Sequence, residues 1–436
     1  MRNSFRIFLF ASASLAATCF GVASSRAQAT PSVDDIKNNI DSVKEGNSDP
    51  FAKSEQKNFG ITVGEFVVLP ALTVGTVYND NVFLSQGNAK GSWGVSVRPE
   101  ITIKRDTGIQ NTTLSLSGAE SVYTDVKNAD TFSGGLDLKH FYEIERGLDL
   151  TYEGGVQRGQ DLTSAYSATG TGSGAGSVYV EPISYMTYSS SLDLSKNYND
   201  AFVSGGANVL DYIYDNAHTT NGQIISQNDR DLLEYSGHAR AGLRFLSDGY
   251  AFIEPAVTQY DFKVGNAATG YTVLAGVGTD RLSLFRGEIY GGFQDISQGG
   301  AGTTNHDLSG AKFGGRLSWT PRRDLVASLI ADHSITPTTA LTGSVGGLTR
   351  SDAISAQVTY SYTTRVELAA NAGYSDVSYL KTTREDKILQ FGFDTTYYFT
   401  NSLGVTLEYT HANVNSNQSV YDYTDNTVTL GLHVRM

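Results

Sequence analysis

The chain has 436 residues, of which 40% are hydrophobic and 11% aromatic, with 46 Gly, 25 Tyr and only 8 Pro. Its 45 acidic residues outnumber 32 basic ones for a net charge of −13, a balance that disfavours nucleic-acid binding. Past residue 29 no run approaches the ~18 apolar residues of a transmembrane helix, so a membrane location has to rest on strands that spend alternate residues on lipid.

Arg2 and Arg6 precede an apolar run over residues 7–22, and Ala27, Gln28 and Ala29 make a small-x-small cleavage site. Residues 1–29 therefore read as a secretory signal peptide. Cys19, the one cysteine, follows Thr18 rather than a small residue, which argues against a lipid anchor and leaves the exported chain without disulfide or thiolate chemistry. Losing Arg2, Arg6 and Arg26 lowers the basic count from 32 to 29 and takes the charge to −16. Residues 30–60 read as a polar periplasmic segment with one short helix. Val33, Ile36, Ile40 and Val43 fall at helical spacing, Ser32 and Asp35 suit a capping box, and Gly46 suits the stop. This segment is either a mobile leader or a plug or docking helix for a periplasmic partner.

From residue 61 to 436 the period is two. Trp93, Val95, Val97, Pro99, Ile101 and Ile103 alternate with Ser96, Arg98, Glu100, Thr102 and Lys104, and the same rule recurs over residues 132–144, 233–245, 311–319, 354–362, 366–374, 389–399 and 428–436. Counting such runs predicts a transmembrane antiparallel up-and-down β-barrel of about 18 strands, with weaker strands near Ile183, Val273 and Leu284. Tight turns at 106–108, 145–147, 247–249, 321–324, 363–365 and 400–402 alternate with longer connections at 160–181, 215–231, 294–309, 334–351 and 413–426. That asymmetry assigns the short turns and both termini to the periplasm. No loop dominates as an inward constriction. Pro99 and Pro255 fall within strands, where a missing donor predicts a bulge at each. Met436 ends the chain where such barrels commonly carry an aromatic.

The stretch Leu72-Thr73-Val74-Gly75-Thr76-Val77-Tyr78-Asn79-Asp80-Asn81-Val82-Phe83, followed by the Pro99 strand, resembles the opening of the putative β-barrel porin 2 family. Members are similar to outer-membrane proteins encoded with exopolysaccharide synthesis and export in Gram-negative bacteria. The resemblance implies a channel for export of exopolysaccharide or capsular polysaccharide in the outer membrane, after signal-directed export. It also implies periplasmic polysaccharide-export components as partners. A barrel in that membrane further implies outer-membrane lipid, lipopolysaccharide and the barrel-assembly machinery as partners. A general diffusion porin for small hydrophilic solutes is the alternative, and an enzyme or adhesin on a barrel trails both.

No catalytic motif interrupts this pattern. The chain lacks a Gly-x-Ser-x-Gly elbow and a His-Glu-x-x-His pair, its seven His are scattered, and the glycines of residues 170–176 lack dinucleotide spacing. No cofactor or metal is expected. Tyr followed by Asp or Asn, as at Tyr198, Tyr214 and Tyr423, reads as a girdle aromatic beside a turn rather than a calcium site. Interface aromatics are expected at Tyr78, Phe83, Tyr214, Trp319 and Tyr398. The lumen-facing charges are Arg98, Glu100, Lys139, Glu143, Arg240, Arg244, Lys312 and Arg316. With Lys104, Asp137, Glu234, Glu367, Glu408 and Arg435 they give the clearer strands eight basic and six acidic inward groups, so the lumen is expected to be relatively positive. These charges either pair across strands or offer weak sites to acidic sugars.

Overall fold

Alternation over ten or more residues leaves one apolar and one polar face per strand, and a strand with lipid on one side can satisfy its backbone only in a closed ladder. The computed structural model describes residues 60–436 apart from 88, 162–181, 220–221, 246–248, 266, 283, 299–307, 339–346 and 381–382, and these form a closed antiparallel barrel of 18 strands. The expected signal peptide at 1–29, the short helix expected around Val33, Ile36, Ile40 and Val43, and the glycine run at 170–176 lie outside the described residues.

A short strand β1 (Ile61–Val63) folds back on β2 (Phe66–Asn79), the first barrel strand. The wall continues through β3 (Ser92–Asp106), β4 (Gln110–Tyr123), β5 (Thr131–Glu145), β6 (Leu148–Asp161), β7 (Ile183–Asn197) and β8 (Ala201–Tyr214). A loop carrying β9 (Ala217–His218) and β10 (Ile224–Ile225) leads to β11 (Leu232–Phe245), β12 (Gly249–Phe262), β13 (Ala268–Leu282), β14 (Phe285–Gln298) and β15 (Leu308–Arg322). Then come β16 (Leu325–Thr338), β17 (Gly347–Thr363), β18 (Val366–Tyr379), β19 (Glu385–Tyr398), β20 (Leu403–Ser416) and β21 (Tyr423–Arg435). Pairing of β21 with β2 closes the ring. The weaker strands near 183, 273 and 284 are all present. Strands also extend further than expected into the connections at 294–309, 334–351 and 413–426.

Register defines the lipid band. On β19 the outward series Tyr397, Thr395, Phe393, Phe391 and Leu389 ends at Lys387, and on β17 Ile354 is followed by Asp352. On β18 Tyr374 is followed by Asp376. Residues 389–397 match the ~9–11 residues that a tilted strand needs to cross hydrocarbon. Among the described residues, five buried apolar clusters sit at the strand ends that carry the longer connections, where loops pack onto inward side chains, as in Val77, Val82, Tyr123, Val126 and Ala129.

The bulges expected at Pro99 and Pro255 are not there. Register is identical on either side of both prolines, and each removes only two rungs on one side of its strand. Gly118 stands across from Pro99 and leaves room for the ring, which lies 3.4 Å from where its Cβ would be. Among the described residues the four register shifts instead fall beside the short turns, at 143/145, 279/282, 319/322 and 361/363. A two-residue reversal demands extra twist, and a bulge at the strand end supplies it.

Candidate functional site

Polar-face residues line the lumen, and one stretch of wall, from β8 and β11 to β16, gathers four of the expected cations: Arg240, Arg244, Lys312 and Arg316. Glycine organises this wall. Tyr250 lies across Gly278, directly opposite it on β13, where an added Cβ would sit 2.4 Å from the ring. Its hydroxyl thereby reaches Glu288 on β14 at 3.2 Å. Tyr290 repeats the arrangement, lying across Gly314 of β15 to donate to Asp332 of β16 at 2.9 Å. Phe202 and Phe252 lie in the same way against Gly242 and Gly276. His238 and Asp193 meet at 3.1 Å over Gly206. With no Cβ on the middle strand, side chains from the two flanking strands touch across it.

Guanidinium groups cover these rings. The Arg240 guanidinium stacks 4.1 Å from the Phe252 centroid, pairs with Glu254 and donates to Glu288 at 3.0 Å. Pro255 breaks the β11–β12 ladder at this level, so the Arg240–Glu254 pair bridges the missing rungs. Arg316 reaches the other oxygen of Glu288 at 3.3 Å. Arg244 bonds Asn197 at 2.9 Å and lies 5.6 Å from the Phe202 ring.

The remaining expected lumen charges stand on other parts of the wall. Lys139 pairs with Glu153 at 2.8 Å, Glu143 faces Asp149, and Glu100 faces Ala71 and Ser117. Arg98 donates to Glu408 at 2.7 Å near the closing seam, with both side chains at most 10% exposed. Beside them Asp394 faces Glu408 across the β19–β20 rung, and Thr73 bonds His433. Arg435 stacks on Tyr398 at 3.6 Å and pairs with Glu367.

The relatively positive lumen is overturned. Register adds Glu153, Asp193, Glu254, Glu288, Asp332, Asp394 and Asp425 to the inward set without a matching gain in bases, so the wall is acidic on balance. Three interface aromatics are also corrected. Tyr398 is 1% exposed and faces inward, because the outward positions of β19 are the odd ones, ending in Tyr397. Tyr214 is inward as well, packed on Tyr185 and under the guanidinium of Arg230, which pairs with buried Asp161 at 2.5 Å. Phe83 packs on the loop cluster of Val82 and Tyr123 instead of meeting lipid. Tyr78 and Trp319 do lie on the outer face, against Trp93 and Phe285. Sequence reading missed Tyr250, Tyr290, Glu254, Glu288 and Asp332; the available signal was the glycines at polar-face positions 242, 276, 278 and 314.

Residues 56–436 match a family described as putative beta-barrel porin 2. No curated protein matches the chain significantly. Similar solved structures include a mutant ferric enterobactin receptor, PfeA, of Pseudomonas aeruginosa, with a TM-score of 0.43 and 8% identity over 85% of this chain and 80% of that one. The FrpB iron transporter of Neisseria meningitidis gives 0.43 and 7% over 88% and 83%, and OccAB3 of Acinetobacter baumannii gives 0.40 and 9% over 86% and 100%.

Proposed function

The chain belongs to the putative beta-barrel porin 2 family, and from that premise we propose that this outer-membrane channel exports a carbohydrate polymer, exopolysaccharide or capsular, and is not an enzyme. The observation that carries the reading is the β11–β16 wall. Arg240 and Arg316 are held by carboxylates and Arg244 by Asn197, and Tyr250 and Tyr290 lie over glycine with their hydroxyls engaged. Such a surface offers many weak polar contacts and no deep charged trap, which suits a chain that must keep moving. Periplasmic export components would deliver the polymer, and lipopolysaccharide and the barrel-assembly machinery are the partners that residence in this membrane calls for.

A general diffusion porin is the second reading, favoured by the apolar clusters that pack onto inward side chains at the strand ends. Deleting the gene and quantifying surface polysaccharide, with complementation by the full chain, tests the first. Loss of polymer restored by complementation supports export. Unchanged polymer, together with sugar permeation in a liposome-swelling assay, favours the porin.

A further inference from the structure

The ladder between β15 and β16 ends at the Phe313–His333 rung. Beyond it residues 308–312 pair with β14, and residues 334–338 pair with β17. Within hydrocarbon such a parting would leave backbone groups unsatisfied. At this rung, however, His333 meets Asp352 on the outer face at 2.7 Å, where the apolar run has already ended. The freed end of the β16–β17 hairpin leans into the lumen. Gln294, an inward residue of β14 that is 2% exposed, reaches past β15 to donate its Nε2 to the Ile335 carbonyl at 2.8 Å. The Ile335 Cδ1 lies 3.1 Å from where Gly310 of β15 would carry a Cβ, so glycine at 310 is what seats it. Ile335 and Leu348 then share one buried cluster with Tyr260, Phe262 and Ile296, from the lumen faces of β12 and β14.

We infer that the arms of this hairpin, residues 334–338 and 347–351, form a strap over the β12–β15 side of the mouth, where they set the size of what passes. The inference rests on the channel reading above. The strap is held on the β14 and β15 side by aliphatic contacts and the Gln294 hydrogen bond, so it can lift without breaking a rung of the membrane-spanning ladder. Small ions pass beside it, whereas a polymer requires it to move.

The test uses the full chain with Cys19→Ser, Gly310→Cys and Ile335→Cys, purified from outer membranes and studied in planar bilayers with the two thiols either free or joined by a short reducible bis-methanethiosulfonate linker. With free thiols the channel is expected to show a higher single-channel conductance than the parent, because Ile335 no longer seats the strap. Bridging returns it to the parent level, and reductant reverses the change. Because one polypeptide supplies both states, misfolding cannot produce the difference. Gln294→Ala is a milder variant expected to shift conductance in the same direction as the free-thiol state. Equal conductance with the bridge confirmed by mass spectrometry and with Gln294→Ala unchanged overturns the strap. In cells, bridging is expected to abolish surface polysaccharide while ion conductance stays at the parent level. Conductance that responds while polysaccharide never depends on the protein removes only the export reading. Polysaccharide that needs the protein, with conductance unmoved, removes only the strap.

Discussion

Arg98 is the most informative single position for stability. Its Nη1 donates to Glu408 at 2.7 Å with both side chains at most 10% exposed, and Glu408 faces Asp394 across the next rung. Arg98→Met leaves two carboxylates facing one another without their cation. Breaking a buried pair in this way costs about 3–5 kcal/mol. Glu408→Gln keeps an acceptor for Arg98 and relieves the repulsion with Asp394, so its cost is about 1 kcal/mol, that of an ordinary hydrogen bond weakened. The asymmetry is the point of the experiment. The two tryptophans, Trp93 and Trp319, both face outward, so urea unfolding in vesicles can be followed by the red shift of their emission as they leave lipid. In the double variant Arg98→Met, Glu408→Gln most of the loss should return, since Asp394 then faces a neutral amide rather than a second carboxylate. Equal costs for the two single variants, or a strictly additive double variant, would refute the coupled-carboxylate account.

Other expectations are simpler. Val97→Arg or Phe391→Arg places a charge on the lipid face and should cost about 2–4 kcal/mol near the midplane, whereas the inward neighbours Ser96 and Gln390 should tolerate the same change mildly in the same unfolding assay. Gly314→Val sets a Cβ 2.6 Å from the Ala331 carbonyl oxygen and 2.7 Å from the Tyr290 hydroxyl, so overpacking of about 1–3 kcal/mol is expected; a variant as stable as the parent would count against the glycine-shelf arrangement. The acidic wall should make the channel cation-selective in reversal-potential measurements. That preference should fade as salt rises, because screening acts beyond about 10 Å at 0.1 M; anion selectivity would contradict the inward set read from register. An epitope near Gly222 should bind antibody on intact cells and one near Gly249 should not; labelling at Gly249 would invert the barrel.

Much of this architecture was already written along the chain. A period of two sustained past ten residues, with no apolar run long enough for a membrane helix past residue 29, admits few folds other than a membrane barrel, because lipid on one face forces every backbone group into a ladder that closes. Strand number, the short and long connections and the inward placement of Arg98, Arg240 and Arg316 follow from that local rule. Partners do not. Whether Arg240 is a free cation or a clamped one depends on Glu254 and Glu288, which register brings together from strands 14 and 48 residues away. Tyr398 shows the same limit. Its aromatic character suggests a membrane interface, yet position parity turns it inward beneath Arg435. The prolines at 99 and 255 keep register because Gly118 and the Arg240–Glu254 pair accommodate them, and neither neighbour is adjacent in the chain. The connection at 334–351 reads as an ordinary loop in the sequence until Gln294 and Gly310, on two other strands, draw Ile335 of its first arm inward. Periodicity is a property of one strand and survives in the sequence, whereas contact across a barrel is a property of several strands at once and exists only after they pair.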